Sequence, residues 1–204
     1  MRTRLIGIAL GTLLLTAPAY ADAIFTLGNH HQPNEENIFF HTDQTGAPGT
    51  PIGAITNLSN SVILYESTTD TIIGTGGQSD VDAAGGLIHN ITMTVTGGHT
   101  FVDAIINPFK PGASGDLIVT VVTNTGPFMF TYGSTNGNNF LTITTSGGET
   151  ISSVTIDSAS GFQDLKQPRI SGISGVTIVP EPSSLALLGS GVLVLTQLLR
   201  RKLS

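Results

Sequence analysis

The chain of 204 residues contains no cysteine and no tryptophan, and it has only three tyrosines. The lack of cysteine excludes disulfides, thiolate nucleophiles and cysteine metal ligands. The lack of tryptophan weakens the case for a sugar site built on aromatic stacking. Thiol chemistry is therefore excluded, and a sugar site would have to depend mainly on polar groups.

Positive charge is equally scarce away from the two ends. Five of the eight basic residues lie in the terminal segments, and residues 22–179 keep only Lys110, Lys166 and Arg169. Thirteen carboxylates in the same span give it a net charge of about −10 at neutral pH. Three cations cannot neutralise a row of phosphates, so no nucleic-acid partner is expected. The acidity favours solubility and weak attraction of divalent cations or basic partners.

Residues 1–21 have the three parts of a signal peptide. Arg2 and Arg4 form a positive region that leads into an apolar core, and Ala19 and Ala21 form an A-x-A cleavage site. We predict cleavage after Ala21, with cleavage after Ala23 as the alternative. The bulk of the chain is then carried across the inner membrane by the Sec export machinery.

The C-terminus consists of a polar hinge, an apolar segment and a cationic cluster, in that order. A transmembrane helix over about residues 183–199 is expected, although it is short for the roughly 20 residues that usually cross a bilayer. The positive-inside rule places the cationic cluster in the cytoplasm and the hinge on the outer side. Two prolines around one glutamate prevent a helix and leave an extended peptide for a processing enzyme. The hinge consists of Pro180, Glu181 and Pro182, and the cationic cluster of Arg200, Arg201 and Lys202.

This tail, residues 180–204, resembles that of the PEP-CTERM proteins. The resemblance implies recognition of the hinge by an exosortase, a membrane-embedded transpeptidase-like enzyme of Gram-negative bacteria that make exopolysaccharide. It implies a precursor anchored in the inner membrane and a processed protein at the cell surface or outside the cell. It says nothing about the role of the exported domain. The alternative is an ordinary C-terminal anchor with a proline-rich kink.

Residues 22–179 predict a single all-β domain. They are rich in Thr, Val, Ile and Gly, lack helical apolar spacing, and show turn signals about every 8–12 residues. Alternation over residues 87–95 places Leu87, Ile91 and the partly buried His89 on the inward side. The more continuous apolar run over residues 117–122 predicts a strand covered on both faces. We expect one antiparallel, jelly-roll-like β-sandwich, large enough to bury its own core.

No catalytic residue can be assigned. Serines are common, but none stands in a G-x-S-x-G motif, and no H-E-x-x-H motif is present. The domain is therefore not expected to be an enzyme. An extracellular hydrolase with an unrecognised site stays as a second alternative.

One pair of carboxylates has spacing that suits a metal ion. Asp80 and Asp82 project to one side of an extended chain, and flanking glycines leave backbone carbonyls free to approach a Ca²⁺ ion. The regular ligand series of an EF-hand is missing, so a structural loop is the preferred interpretation and Ca²⁺ the alternative. No other cofactor is expected.

A second group, near the mature N-terminus, has ligand types that suit Zn²⁺ or Cu²⁺. Its spacing matches no defined motif, so we interpret it as a solvated polar loop. The group comprises His30, His31, His41, Glu35, Glu36 and Asp43.

The most plausible sugar-binding loop follows Tyr132. Asn136, Asn138 and Asn139 supply amides that could fix sugar hydroxyls beside the ring, and a polar hairpin connection is the alternative.

Residues 153–173 look similar to the end of many exported β-sandwich modules, including carbohydrate-binding ones. The resemblance implies that Phe162 and Leu165 plug the end of the core. Lys166 and Arg169 lie in the same segment. We expect one of these two cations to form an ion pair with Asp157 or Asp164.

Together these patterns predict an exported protein of the cell surface or extracellular matrix with a structural or adhesive role. A carbohydrate-binding module for the cell's own exopolysaccharide is the first alternative.

Overall fold

The computed structural model describes residues 22–109 and 115–174, and this part of the chain is all β. No helix in these residues is long and apolar enough to cross a membrane. The predicted signal peptide, hinge, transmembrane helix and cationic cluster lie outside the described residues. The strands are β1 (Ala23–Leu27), β2 (Glu36–Phe40), β3 (Gln44–Gly46), β4 (Ile52–Thr56), β5 (Val62–Glu66), β6 (Ile72–Gly74), β7 (Gly77–Gln78), β8 (Asp80–Ala83), β9 (Ile88–Val95), β10 (Asp103–Ile106), β11 (Pro108–Phe109), β12 (Gly115–Thr123), β13 (Pro127–Ser134), β14 (Leu141–Thr145), β15 (Ile151–Phe162), β16 (Asp164–Lys166) and β17 (Arg169–Ser171).

These strands form two antiparallel sheets. The large sheet has the order β1-β14-β10-β17-β2-β4-β5-β9-β15-β12-β13, with β7 beside β2, and the small sheet has the order β11-β16-β8-β6-β3. The large sheet bends back until its edge strands meet, where the rings of Phe25 and Phe130 stack with centroids 5.1 Å apart. The prediction of an all-β antiparallel sandwich is confirmed.

The core lies between the inward faces of the bent sheet and beneath the small sheet. In β9, Ile91, Met93 and Val95 are buried while Thr92 is only partly covered, as alternation requires. Burial raises the pKa of Tyr65, whose hydroxyl accepts a hydrogen bond from Ser79 Oγ at 3.3 Å. Ile91 is thus buried as the sequence predicts, whereas the inward placement of Leu87, which precedes β9, is wrong because its side chain is 36 % exposed.

The inward placement of His89 is wrong. Its side chain is 47 % exposed, and Ile88 takes the buried position in front of it. The reason is an irregularity in β15: after Asp157 pairs with Asn90, the next partner pair is Phe162 and Ile88. Several extra residues on one strand break the alternation, which a reading of β9 alone cannot detect.

The expectation that residues 117–122 are covered on both faces is also wrong. Leu117, Val119 and Val121 are buried, but Ile118 and Val122 are 36 % and 37 % exposed. Strand β12 therefore has one inner and one outer face, and its apolar outer residues face solvent.

The segment after β15 closes one end of the core. Phe162 and Leu165 are 0 % and 1 % exposed, which fits the predicted plug. Gly161 allows the chain to turn there, since its φ is +68° and a Cβ would lie 2.5 Å from Leu87 Cβ. This turn leads directly into β16.

Candidate functional site

Strands β8 and β16 bring together three carboxylates that are far apart in sequence. Their antiparallel register pairs Asp82 with Asp164 and Asp80 with Lys166. Because alternate residues of a strand share a face, all four side chains lie on one face of the small sheet. We call Asp80, Asp82 and Asp164 the aspartate cluster.

The other face of the same two strands explains why this register is fixed. Val81 and Leu165 are opposite each other and are 0 % and 1 % exposed. A slip of one residue would move these side chains out of the core, so apolar burial holds the carboxylates together.

The cluster is compact and incompletely hydrogen-bonded. One oxygen from each carboxylate lies within 4.8 Å of the others. The Asp164 side chain is 4 % exposed, and its Oδ2 lies 3.3 Å from Lys166 Nζ. Asp164 Oδ1 and Asp80 Oδ1 are buried without any hydrogen-bond partner. The arrangement has more acceptor atoms than the described residues supply donors.

Electrostatics in the cluster disfavour three ionised carboxyls. Burial first, and then the charge of Asp80, raise the pKa of Asp164 to about 6, although the hydrogen bond and charge of Lys166 oppose this. Burial and the neighbouring Asp82 raise the pKa of Asp80, and burial raises that of Asp82. All three pKa values move in the direction expected when negative charge lacks compensation.

Among the described residues, Lys166 supplies the positive charge at this cluster. Its Nζ also lies 3.9 Å from the centroid of the Phe109 ring, so the ammonium is held between a carboxylate and an aromatic face. The ion pair between Lys166 and Asp164 is one of those the sequence predicted. Arg169, in contrast, pairs with Glu35.

The predicted group of histidines and acids near the N-terminus does not converge. His31 Nδ1 lies 2.9 Å from Glu35 Oε2, and Arg169 Nη1 lies 2.6 Å from Glu35 Oε1. The guanidinium thus occupies the position next to Glu35 that a metal ion would need. His30 is turned to the chain nearby, with its Nε2 3.0 Å from the carbonyl oxygen of Leu27.

Two of the remaining members of that group, Glu36 and Asp43, have separate partners, and His41 is exposed. Glu36 accepts hydrogen bonds from Ser59, and Asp43 Oδ1 accepts one from the backbone N–H of Gly76 at 2.6 Å. Among the residues that the structure describes, groups of three or more metal-ligating side chains occur only at the aspartate cluster.

The residues of the predicted sugar-binding loop lie together and brace one another. The Tyr132 hydroxyl donates to the Asn139 carbonyl oxygen at 3.1 Å, and burial raises the pKa of Tyr132. Asn139 donates to three backbone carbonyls, and Asn138 Oδ1 accepts from Asn107 at 2.9 Å. Asn136 also has an interaction partner. Sugar binding at this loop stays a prediction.

A surface that sequence reasoning missed lies on the outer side of β9, β15, β12 and β13. Cross-strand register arranges its side chains in three rows of four. Hydrogen bonds join neighbours within the rows, with Thr92 Oγ1 2.9 Å from Thr155 Oγ1 and Asn90 Nδ2 2.7 Å from Asp157 Oδ1. We call this surface the outer face. Its rows are Asn90-Asp157-Ile118-Thr131, Thr92-Thr155-Thr120-Met129 and Thr94-Ser153-Val122-Pro127.

The outer face mixes hydroxyl groups with exposed apolar side chains. Met129 is 69 % exposed and lies opposite Thr120, while Ile118 and Val122 flank the same row. Strand β9 alone shows alternation of polar and apolar residues, whereas β12 is a nearly continuous apolar run. The rows themselves depend on the register between strands, which the sequence does not display.

A family model described as the PEP-CTERM protein-sorting motif matches residues 179–202. The chain carries a PEP-CTERM sorting motif. The match includes the whole hinge and the whole cationic cluster, so the resemblance of the tail is confirmed. The motif implies an exported protein, sorted to the cell surface through a membrane-anchored precursor by an exosortase. It covers only the tail and leaves the role of residues 22–174 open.

Comparison of the whole chain adds little. No curated protein is significantly similar to it. A solved structure of a mutant of CBM29-2, a family 29 carbohydrate-binding module, is similar over 74 % of this chain and 89 % of that chain. The two are 11 % identical with a TM-score of 0.22, and this likeness carries no argument about function.

Proposed function

We propose that the exported domain is a structural or adhesive component of the cell surface or extracellular matrix, with no catalytic step. The observation that carries the proposal is the outer face. A protein delivered to the surface needs an area through which it contacts other molecules, and three straight rows of outward side chains provide one.

The composition of the outer face suits contact at low entropic cost. Threonine side chains are stiff at χ1, so ordering them against a partner loses little rotamer freedom. The exposed Met129, Ile118 and Val122 add apolar area that would gain free energy when a partner covers it. Hydroxyl groups between them can hydrogen-bond to a polar partner.

The proposal is tested by placing a charge in the middle of the outer face. Thr120→Lys should lower the fraction of the protein retained on cells or in the matrix several-fold, since a lysine there disrupts the packed central row. Thr42→Lys, at an exposed position outside this face, serves as the matched control. Equal retention of both variants, with unchanged unfolding temperatures, would contradict a contact role for this face.

Carbohydrate binding is the second candidate function. The Asn90–Asp157 pair, next to the threonine-rich central row of the outer face, favours it. Amide, carboxylate and hydroxyl groups are the groups that hydrogen-bond sugar hydroxyls. Binding to purified exopolysaccharide should then fall in Thr120→Lys. A fall in Asn138→Ala instead would assign binding to the loop after Tyr132, and no binding by the parent protein would leave the structural role alone.

We also propose that the exosortase recognises Pro180, Glu181 and Pro182 and cleaves the chain close to them. Glu181→Ala should leave full-length precursor in the membrane of a host that has an exosortase. Intact mass after cell fractionation, compared with a host lacking the enzyme, measures this. Normal release of the variant would contradict the assigned role of the hinge.

A further inference from the structure

Without a bound partner, repulsion within the aspartate cluster lowers the stability of the fold. Like charges directly opposite each other on neighbouring strands destabilise a sheet, and here Asp82 faces Asp164 with Asp80 beside them. The apolar residues on the other face fix the register, so the carboxylates cannot move apart by sliding.

Lys166 does not neutralise the cluster. One ammonium beside three carboxylates leaves two negative charges when all are ionised. Its Nζ is directed to Asp164 Oδ2, at 3.3 Å, and to the Phe109 ring, at 3.9 Å from the centroid. The missing charge therefore equals that of one divalent cation.

A second observation is independent of the charge count. The Asp164 side chain is 96 % buried, and its Oδ1 is buried without accepting any hydrogen bond. A buried carboxylate oxygen without a donor has lost its hydrogen bonds to water and has formed no others, which costs free energy. A metal ion could bind this oxygen directly, because coordination requires no hydrogen-bond donor.

We propose that Asp80, Asp82 and Asp164 bind one Ca²⁺ ion in the exported protein. All the ligand atoms are hard oxygens, which suit Ca²⁺ or Mg²⁺ rather than Zn²⁺ or Cu²⁺. Asp80 and Asp82 are only partly covered, so water can reach the remaining coordination positions.

Ca²⁺ is preferred to Mg²⁺ because it accepts irregular coordination geometry. Two oxygens on one Ca²⁺ ion can lie up to about 4.6–5.2 Å apart, because each Ca–O distance is about 2.3–2.6 Å. For Mg²⁺ the limit is about 4.0–4.2 Å, and a near-ideal octahedron is required. The cluster's oxygens lie within 4.8 Å of one another, which is within the span that one Ca²⁺ ion allows for a pair of oxygens.

Calcium at this place would fasten β8 to β16 and so hold the end of the core closed. The site is separate from the outer face, and its test does not depend on the matrix partner. Three carboxylates without a dedicated loop belong with the weak extracellular sites, for which the Kd is about 10⁻⁴–10⁻³ M. We therefore expect about 10 mM calcium to saturate it.

The experiment uses the full chain in a neutral detergent after removal of metals with a chelator. Titration with CaCl₂ in a calorimeter should show one site. Addition of 10 mM CaCl₂ should raise the unfolding temperature by about 3–10 °C. Asp82→Asn and Asp164→Asn should weaken binding at least tenfold, whereas Asp116→Asn, the same charge change at an exposed site, should not.

Two further arms separate ligand loss from misfolding. In chelator Asp164→Asn should unfold at a temperature no lower than that of the parent, and it should lose the calcium response. Lys166→Met should bind calcium more tightly than the parent, because it removes a competing cation. No heat and no thermal shift in the parent would overturn the proposal, as would an unchanged shift in Asp164→Asn. An equal response to MgCl₂ would overturn the choice of Ca²⁺.

Discussion

Two buried carboxylates in this domain, Glu36 and Asp164, have opposite surroundings. Glu36 Oε2 accepts the backbone N–H and the hydroxyl of Ser59, each at 2.8 Å, and so ties β2 to the turn between β4 and β5. Asp164 shares one oxygen with Lys166 and has nothing at the other. Both are less than a tenth exposed. Burial alone therefore does not distinguish the two carboxylates, whereas the unmet oxygen of Asp164 does.

The comparison predicts the largest effect at Glu36. Glu36→Ala removes the acceptor and leaves the Ser59 N–H without a partner in a partly buried turn. We expect the free energy of unfolding to fall by about 2–4 kcal/mol, as for other broken buried networks. Denaturant unfolding with and without calcium measures it. The loss should be equal in both conditions, and a calcium-dependent loss would erase the contrast with Asp164.

The same kind of change at Asp164 should have the opposite sign. Asp164→Asn removes a buried anion and supplies an N–H₂ group that can donate to Asp80 Oδ1. In chelator we expect the variant to be more stable than the parent by about 1 kcal/mol. Denaturant midpoints at pH 7 give this number. A loss comparable to that of Glu36→Ala would show that the ion pair with Lys166 is the dominant interaction at this site.

The pH dependence sharpens the contrast further. The pKa of Asp164 is raised to about 6 in the folded protein, above the ordinary value of 3.8, so the folded state binds the proton more tightly. In chelator, stability at this site should therefore rise as pH falls from 7 towards 4. Thermal unfolding across that range measures the slope. Asp164→Asn should flatten it, and an identical slope in the variant would assign the effect to other groups.

Asp70 gives the smallest expected effect. Burial raises its pKa, but the backbone N–H of His89 at 2.7 Å and the hydroxyl of Thr69 lower it by more, so the net shift is downward. The folded state then holds this proton less tightly, and stability is lost only as pH falls below about 4. Asp70→Asn should be slightly less stable at pH 7 and should lose less on acidification. Acid titration followed by circular dichroism tests this.

Local pattern was sufficient for some parts of the molecule and not for others. Alternation in β9 predicted Ile91 and Met93 in the core because side-chain direction in a strand depends only on position. The spacing of Asp80 and Asp82 likewise placed both on one face. The tail motif is linear, and its order of hinge, apolar segment and cationic cluster needs no folding to be recognised.

What the sequence could not predict depends on register between distant strands. Asp164 joins the aspartate cluster only because β16 pairs with β8 so that Asp82 is its partner. The outward position of His89 follows from the irregularity in β15, and the outer face exists only once β9, β15, β12 and β13 are aligned. Turn signals suggest strands without saying which strands pair.

The pairing of β1 has a consequence for the timing of export. Residues 23–27 are among the first of the mature domain to cross the membrane, yet their partners are residues 141–145 of β14. Ile24 and Leu27 are still about half exposed in the finished fold, at 48 % and 58 %. Until β14, in the last quarter of the domain, emerges, this strand has an open hydrogen-bonding edge beside apolar side chains. We therefore expect the exported chain to need a chaperone on the far side of the membrane until β14 has been translocated.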